Sequence, residues 1–356
     1  LSAQEAAPLR ALFAGFGRVG RTLAEILAHR HEYPGLAGAP PIEVVGITTG
    51  GSGALVDPAG LDLARALDEV RRHDRFTTAH SAAAAIDTAT AARVLEYDVL
   101  VEMSPLSVAG RGEPACSYVR TALGRGRHVV SANKGPVAWA YRELAAQAAE
   151  RGVAFRFEST VMDGAPVFGL RDHCLPGTSI ERVEGVLNST TNVILSEMEA
   201  GRGFEEALER ARQAGVVEAD PEDDLAGWDA AVKLACLANV LLGVDLAPEA
   251  VERTDVREIA PERLAAARDR GARVKLVARA ERPRPGVAAG VAARVEAEEV
   301  PLGDPLAQVS GTSSALRLVA DLAGRLVVVE EEPDLRTTAY GVLADLLRLP
   351  PLGPVH

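Results

Sequence analysis

Residues 9–30 read LRALFAGFGRVGRTLAEILAHR, and the fold turns on how they are read. Leu9 to Ala14 form a short apolar run that ends at a glycine turn. Gly15, Gly17 and Gly20 follow at G-x-G-x-x-G spacing, and Val19, Leu23, Ile26 and Leu27 then recur at helical intervals. A strand, a tight glycine turn and a helix in that order form a phosphate-binding element. The first glycine allows the turn, the second lets backbone approach a pyrophosphate, and the third lets helix and strand pack closely. The helix N-terminus then favours the anion. The motif alone is weak and also fits a purely structural turn; its place between a strand and a helix points to a dinucleotide, with Phe16, Arg18 and Val19 completing the contacting segment.

Further along, IEVVGITT (42–49), YDVLVEMSP (97–105), RHVVSAN (127–133) and VAFRFEST (153–160) read as buried strands. Helical spacing lies between them, at 114–124 and at 137–151. This alternation gives an α/β fold with a Rossmann-type, doubly wound parallel sheet. From about residue 158 the pattern changes. SIERVEGVLN (179–188) reads as a strand, STTNVILSEME (189–199) and 204–214 as helices, and 225–242 as one long apolar helix. RVKLVARAE, GVAAGVAARVEAEEV and RLVVVEEE follow as strands of a mixed sheet, so the second half is an α+β domain. TTAYGVLADLLRL (337–349) closes the chain as a helix.

A dinucleotide site of this kind holds the ribose at the end of the second strand, where Asp or Glu binds a 2′-hydroxyl. Here that position carries Thr48 and Thr49 and no carboxylate. Nothing would repel a 2′-phosphate, and Arg18 could reach the phosphates or simply be solvated. NADP(H) is favoured on this reading, with NAD(H) accepted. The turn after the third strand places Ser104 beside the same region.

The chain has 356 residues, enough for two domains, and a net charge of −12. That charge argues against a nucleic-acid partner, which needs a basic stripe. No stretch suggests a signal peptide or a membrane span. Cys116, Cys174 and Cys236 are odd in number, widely spaced and without CxxC pairing, which fits a reducing, cytoplasmic setting.

Of the 38 basic residues only Lys134, Lys233 and Lys275 are lysines. Lys233 stands in the apolar run after 225, four residues from Asp229, so the two share a helix face. A surface ion pair is the plainest account of this spacing. The apolar surroundings argue instead for burial. Burial disfavours a charged amine and a neighbouring carboxylate favours it, so an amine can be brought into range for proton exchange, whereas a guanidinium stays protonated. Lys233 is therefore a candidate general acid/base, oriented by Asp229. Ahead of this helix lie Glu218, Asp220, Glu222, Asp223 and Asp224. Asp220, Glu222 and Asp223 read as a solvated cap, while Glu218 and Asp224 could meet a substrate ammonium.

Taken in order, GFGRVG, SANKGP, FESTVMDGAPVF, GVLNSTTNVILSEM, VVEADPEDDLAGWDAAVKLACLA, RVKLVARA and EVPLGDPLAQVSGTSSAL resemble homoserine dehydrogenases from about residue 10 onward. The resemblance implies reversible, NAD(P)H-dependent reduction of L-aspartate 4-semialdehyde to L-homoserine. It implies a homodimer and a division into a nucleotide-binding domain (1–157 and 337–356), a dimerisation region (158–166 and 297–336) and a substrate domain (167–296). Lys233 matches the family's acid/base lysine, Asp229 its partner, Glu218 and Asp224 the substrate carboxylates, and Thr190 and Ser189 the substrate-pocket turn. Lys134 matches a second lysine near the nicotinamide, and Gly341 a glycine close to it. Glu158, Val161, Asp163 and Ala165 match a stretch that holds a monovalent cation, Na⁺ or K⁺, mainly through backbone carbonyls. Ser189 replaces a usual glycine and Val216 a usual aromatic residue, both in the substrate pocket. The chain stops where the catalytic core stops, implying a short form without a threonine-sensing domain. Two alternatives remain at this point. One is a dehydrogenase of another amino-acid carbonyl, and the other a non-catalytic dinucleotide-binding regulator.

Overall fold

The structure is a computed structural model describing residues 7–77, 80–217, 220–283 and 291–352. It divides into two compact units, one of residues 1–136, 140–164 and 334–356, the other of 137–139 and 165–333.

The first unit is built on a seven-stranded sheet of β1 (Leu9–Ala14), β2 (Ile42–Thr48), β3 (Ala54–Val56), β4 (Ala83–Ala84), β5 (Val99–Glu102), β6 (His128–Ser131) and β7 (Phe155–Arg156), in the order β4-β3-β2-β1-β5-β6-β7. From β2 to β7 every pairing is parallel, whereas β3 and β4 add an antiparallel edge that the sequence reading did not anticipate. Its helices are α1 (Arg18–Ala28), α2 (Leu63–His73), α3 (Thr88–Val94), α4 (Ala115–Gly124) and α5 (Gly135–Arg151). Apolar strand residues are buried on both faces, as a parallel sheet between helices requires. Phe13, Ile47 and Val101 join one core, and Leu12, Leu100 and Leu123 the other. Strand order reverses between β1 and β5, so the turn after β1 lies at the switch point where doubly wound sheets take ligands.

In the second unit come α6 (Val167–Cys174), β8 (Ile180–Val186), α7 (Ser189–Glu199), α8 (Phe204–Gln213), α9 (Glu222–Leu225), α10 (Trp228–Leu237), β9 (Glu252–Arg253), α11 (Pro261–Asp269), β10 (Ala272–Glu281), β11 (Ala292–Pro301), α12 (Pro305–Gln308), β12 (Ser314–Ala320) and β13 (Gly324–Glu330). Its six strands form a mixed sheet, order β13-β12-β8-β10-β11-β9, in which only β11 and β9 run parallel. The last helix, α13 (Leu335–Leu347), returns to the first unit, where Ala339, Val342, Leu343 and Leu346 pack in the same core as Leu23 and Ile26 of α1.

Two elements differ from the sequence reading. The apolar stretch 225–242 is not one helix. Gly227, at φ +75°, separates α9 from α10, and Ala238–Leu242 widens into a π turn where Asn239 donates to Ala138 O and Leu246 O. The strand expected at 153–160 keeps only Phe155–Arg156 before a 3₁₀ turn at Glu158–Thr160. Among the described residues no helix is long and apolar enough to cross a membrane.

Candidate active site

The first unit presents one group of residues at the ends of β1, β5 and β6. Gly15 has φ +106°, and a Cβ there would stand 2.6 Å from the carbonyl carbon of Met103, so only glycine fits between the turn and the end of β5. A Cβ on Gly17 would meet nothing within 4 Å, leaving open space over the N-terminus of α1, the cradle a dinucleotide pyrophosphate requires. Gly20 backs onto Gly15 O at 3.0 Å from its Cβ position, as close helix–turn packing demands. Phe16 contributes backbone to this turn, its ring being buried against Phe76. Val19 is half-buried and Arg18 exposed.

Thr48 is a correction to its expected side-chain role. It is fully buried, with its hydroxyl donating to Phe13 O and accepting from Thr88, so it faces the core and cannot reach a ribose. Beyond it, Thr49 closes the next turn through Gly53 O and Ser52 N. Ser104 is likewise committed internally: its N–H and hydroxyl both donate to Glu102 Oε1. Complete burial pushes the Glu102 carboxyl up to about 7. Asn133 donates to Ser104 O at 3.1 Å and accepts from Gly135 N–H, fixing the start of α5, where Lys134 is the half-buried N-cap residue. Gly341 is buried on α13, and a Cβ there would fall 2.5 Å from Asp163 O and Ser159 Oγ. Its lack of a side chain is explained by that close approach. Of the residues matched to a cation site, Glu158, Val161 and Ala165 are buried or nearly so, and Asp163 accepts from Thr338. Among the described residues no cluster of three His, Cys, Asp or Glu side chains could hold a metal.

The second unit gathers its group around the junction of β8 and α7. Lys233 Nζ lies 3.1 Å from Asp229 Oδ2 and donates to Leu187 O at 2.7 Å. Their side chains are 17% and 15% exposed, which separates this pair from a solvated surface bridge. Thr190 Oγ1 donates to Asp224 Oδ2 at 2.8 Å, and Ser189 opens α7 beside it. Burial and the Asp229 charge raise the Asp224 carboxyl above its ordinary value, against hydrogen bonds from Thr190 and Asn188 and the Lys233 charge. The structure thus brings Thr190, Asp224, Asp229 and Lys233 into one hydrogen-bonded group, while Glu218 lies outside the described residues. Sequence reasoning overlooked Asn188, whose amide touches both Asp224 and Asp229. Its only signal was an asparagine at a strand–helix junction, which reads as a cap.

Two family models match the chain: "Homoserine dehydrogenase, NAD binding domain" over residues 15–158 and "Homoserine dehydrogenase" over 166–347. The chain is 33% identical to the homoserine dehydrogenase of Methanocaldococcus jannaschii over 95% of its own length and 97% of the relative's. It is 34% identical to the NAD(+)-dependent homoserine dehydrogenase of Pseudomonas canavaninivorans over 94% of each chain. Among solved structures, a hyperthermophilic archaeal homoserine dehydrogenase in complex with NADPH superposes with a TM-score of 0.79 at 28% identity, covering 98% of this chain and 100% of that one. Glycine turn, lysine–carboxylate group and these likenesses agree: the chain belongs to the homoserine dehydrogenase family, NAD(P)-dependent oxidoreductases that act on a CH–OH group.

Proposed function

We propose that in this chain the family's reaction, reversible NAD(P)H-dependent reduction of L-aspartate 4-semialdehyde to L-homoserine, runs on Lys233 as general acid/base. The observation that carries the reading is the placement of Lys233 Nζ between Asp229 Oδ2 and Leu187 O in a nearly closed setting. In oxidation the neutral amine takes the hydroxyl proton of homoserine, and in reduction the ammonium returns it to the carbonyl oxygen. The nicotinamide, when bound, accepts or supplies the hydride. Asp229 orients the amine and offsets its charge, while Asp224 and Glu218 offer carboxylates to the substrate ammonium. Thr190 and Ser189 line the same turn.

The dinucleotide is held by the backbone of Gly15 to Gly20 at the start of α1, with Lys134 and the Ser104 turn toward the nicotinamide end. NADP(H) is preferred over NAD(H), supported by the absence of a carboxylate at the end of β2 and by exposed Arg18 in the turn. The ratio of kcat/KM with the two cofactors tests this, since a relative of similar identity carries the name NAD(+)-dependent. A monovalent cation at Glu158, Val161, Asp163 and Ala165 rests on the family resemblance, and rates in Na⁺, K⁺ or tetramethylammonium salts test it. Cys116, Cys174 and Cys236 form no disulfide, which supports the reading of a reducing, cytoplasmic setting. The enzyme acts as a homodimer through residues 158–166 and 297–336, a reading supported by the exposed Val327 and Val329 of β13.

The deciding experiment is oxidation of L-homoserine by the intact protein, Lys233→Ala and Lys233→Arg. Both variants should lose roughly 10²–10⁴-fold in kcat while cofactor affinity stays unchanged. A guanidinium keeps the charge and the pairing with Asp229 but cannot exchange the proton. Near-wild-type turnover by Lys233→Arg would make the residue a fixed cation rather than an acid/base.

A further inference from the structure

Asn188 is the N-cap of α7, 6% exposed, and each polar position of its amide is engaged. Its Oδ1 accepts from the Thr191 N–H at 2.8 Å and from the Thr191 hydroxyl at 2.9 Å, completing the cap. Its Nδ2 donates to Asp224 Oδ1 at 2.7 Å and to Asp229 Oδ2 at 2.9 Å. That second oxygen is the one that meets Lys233 Nζ. One amide nitrogen therefore bridges two carboxylates that repel each other, beside the amine that pairs with one of them.

Capping alone does not require asparagine. Asp, Ser and Thr all accept the same N–H bond at an N-cap. Asparagine alone among them accepts the cap bond and still has two N–H donors to give. Asp in its place would cap equally well and set a third negative charge against Asp224 and Asp229. The electrostatic need is visible around the group. Asp224 is opposed by Asp229. Asp223, on the same short helix α9, is raised by its burial and by Asp220, Asp229 and Glu222. Thr190, Asn188 and Lys233 are what favour the ionised form of Asp224. One turn along α7, Asn192 ties the helix to Lys275 of β10 and to Gly311 O, so the cap sits on a fixed base.

We propose that Asn188 is a positioning residue for homoserine oxidation, its amide holding Asp224 and Asp229 together beside Lys233 and offsetting their negative charge, and so setting the acid limb of the pH–rate profile. The inference rests on the roles given above to Asp224, Asp229 and Lys233.

The test compares kcat and KM for L-homoserine across ~pH 5 to 10 in wild type, Asn188→Asp and Asn188→Ser, with thermal melts and cofactor affinity measured alongside. Both variants keep a capping oxygen and should melt within a few degrees of wild type with unchanged cofactor affinity. In Asn188→Asp the acid limb should move up by about one pH unit or more, because lost donors and an added charge favour protonation, and KM for homoserine should rise about tenfold. Asn188→Ser, with one hydroxyl donor, should fall between. A wild-type acid limb and KM in Asn188→Asp would overturn the proposal. So would a rate loss equal at every pH accompanied by a large drop in melting temperature, which would make Asn188 only a cap. Failure of the underlying reading is separate: it would appear as an active Lys233→Ala, whatever Asn188→Asp does.

Discussion

Lysine is so scarce in this chain that each one asks for a reason, and Lys275 has a different one from Lys233. It lies on β10, 2% exposed, and its ammonium donates to Asn192 Oδ1 at 2.8 Å and Val309 O at 2.6 Å. Burial and the charge of Arg273 push it down to about 8 from the usual 10.5, against Glu199. Below pH ~8 it is charged in folded and unfolded chains alike, and the burial penalty is carried in full. Between about 8 and 10.5 the unfolded chain binds a proton that the folded chain lacks, so this group's contribution to stability rises with pH. Lys275→Met would remove the buried charge but strand two acceptors, at roughly 1–3 kcal/mol each, and the loss should win. The variant should melt several degrees lower, and the gap from wild type should widen between about pH 7.5 and 9.5. A gap that stays constant over that range would show that Lys275 holds its proton.

Among the elements, the glycine turn makes the sharpest contrast between folding and binding, because its first two glycines are needed for different reasons. At Gly15 an added Cβ would run into the Met103 carbonyl, and φ +106° is closed to alanine. Gly15→Ala should lose about 2–5 kcal/mol of stability even without cofactor, from strain and overpacking together. At Gly17 φ is −76° and the space is open, so Gly17→Ala should melt like wild type and fail only in the stabilisation that NADPH confers. Melting curves with and without NADPH separate the two, and an unshifted apo melt for Gly15→Ala would contradict the packing argument. This turn and the parallel strands were legible because apolar runs and glycine spacing are local signals. The β3–β4 edge was not, since strands of three and two residues are too short to show a period. Nor was the break at Gly227, where an apolar face on every side hides the helix boundary. In the candidate site, Lys233 and Asp229 could be paired from i,i+4 spacing, whereas the partners of Asn188 stand 36 and 41 residues away. Thr48 failed as a ribose contact because Thr88, 40 residues on, claims its hydroxyl inside the core.

For the molecule as a whole, the sheet of the second unit supplies the argument for a second copy. On β13, an edge strand, Val327 and Val329 point to one face and are 37% and 48% exposed, and Leu322 in the turn before β13 is 79% exposed. A long edge with exposed apolar residues invites pairing unless something covers it. Charges on the same face would ordinarily oppose burial, yet here they are already matched. Glu184 is held by Arg279 at 3.0 Å and Arg317 at 2.9 Å, while Arg317 also meets Asp304, and Arg279 meets Glu298 at 2.8 Å. Register puts Val327 opposite Arg317 and Arg317 opposite Glu184, so the valine and the matched charges share that face. Covering it with another copy would bury apolar surface over the matched charges of Glu184, Arg279 and Arg317, while Arg325 on the same face of β13 would need a carboxylate or solvent at the rim. Val329→Lys adds a positive charge twice across a two-fold interface and should convert a dimer into a monomer by light scattering, with the melting transition lowered and concentration-dependent association lost. A variant that stays dimeric would move the interface off β13, and a wild-type protein that is monomeric at micromolar concentration would end the dimer proposal altogether.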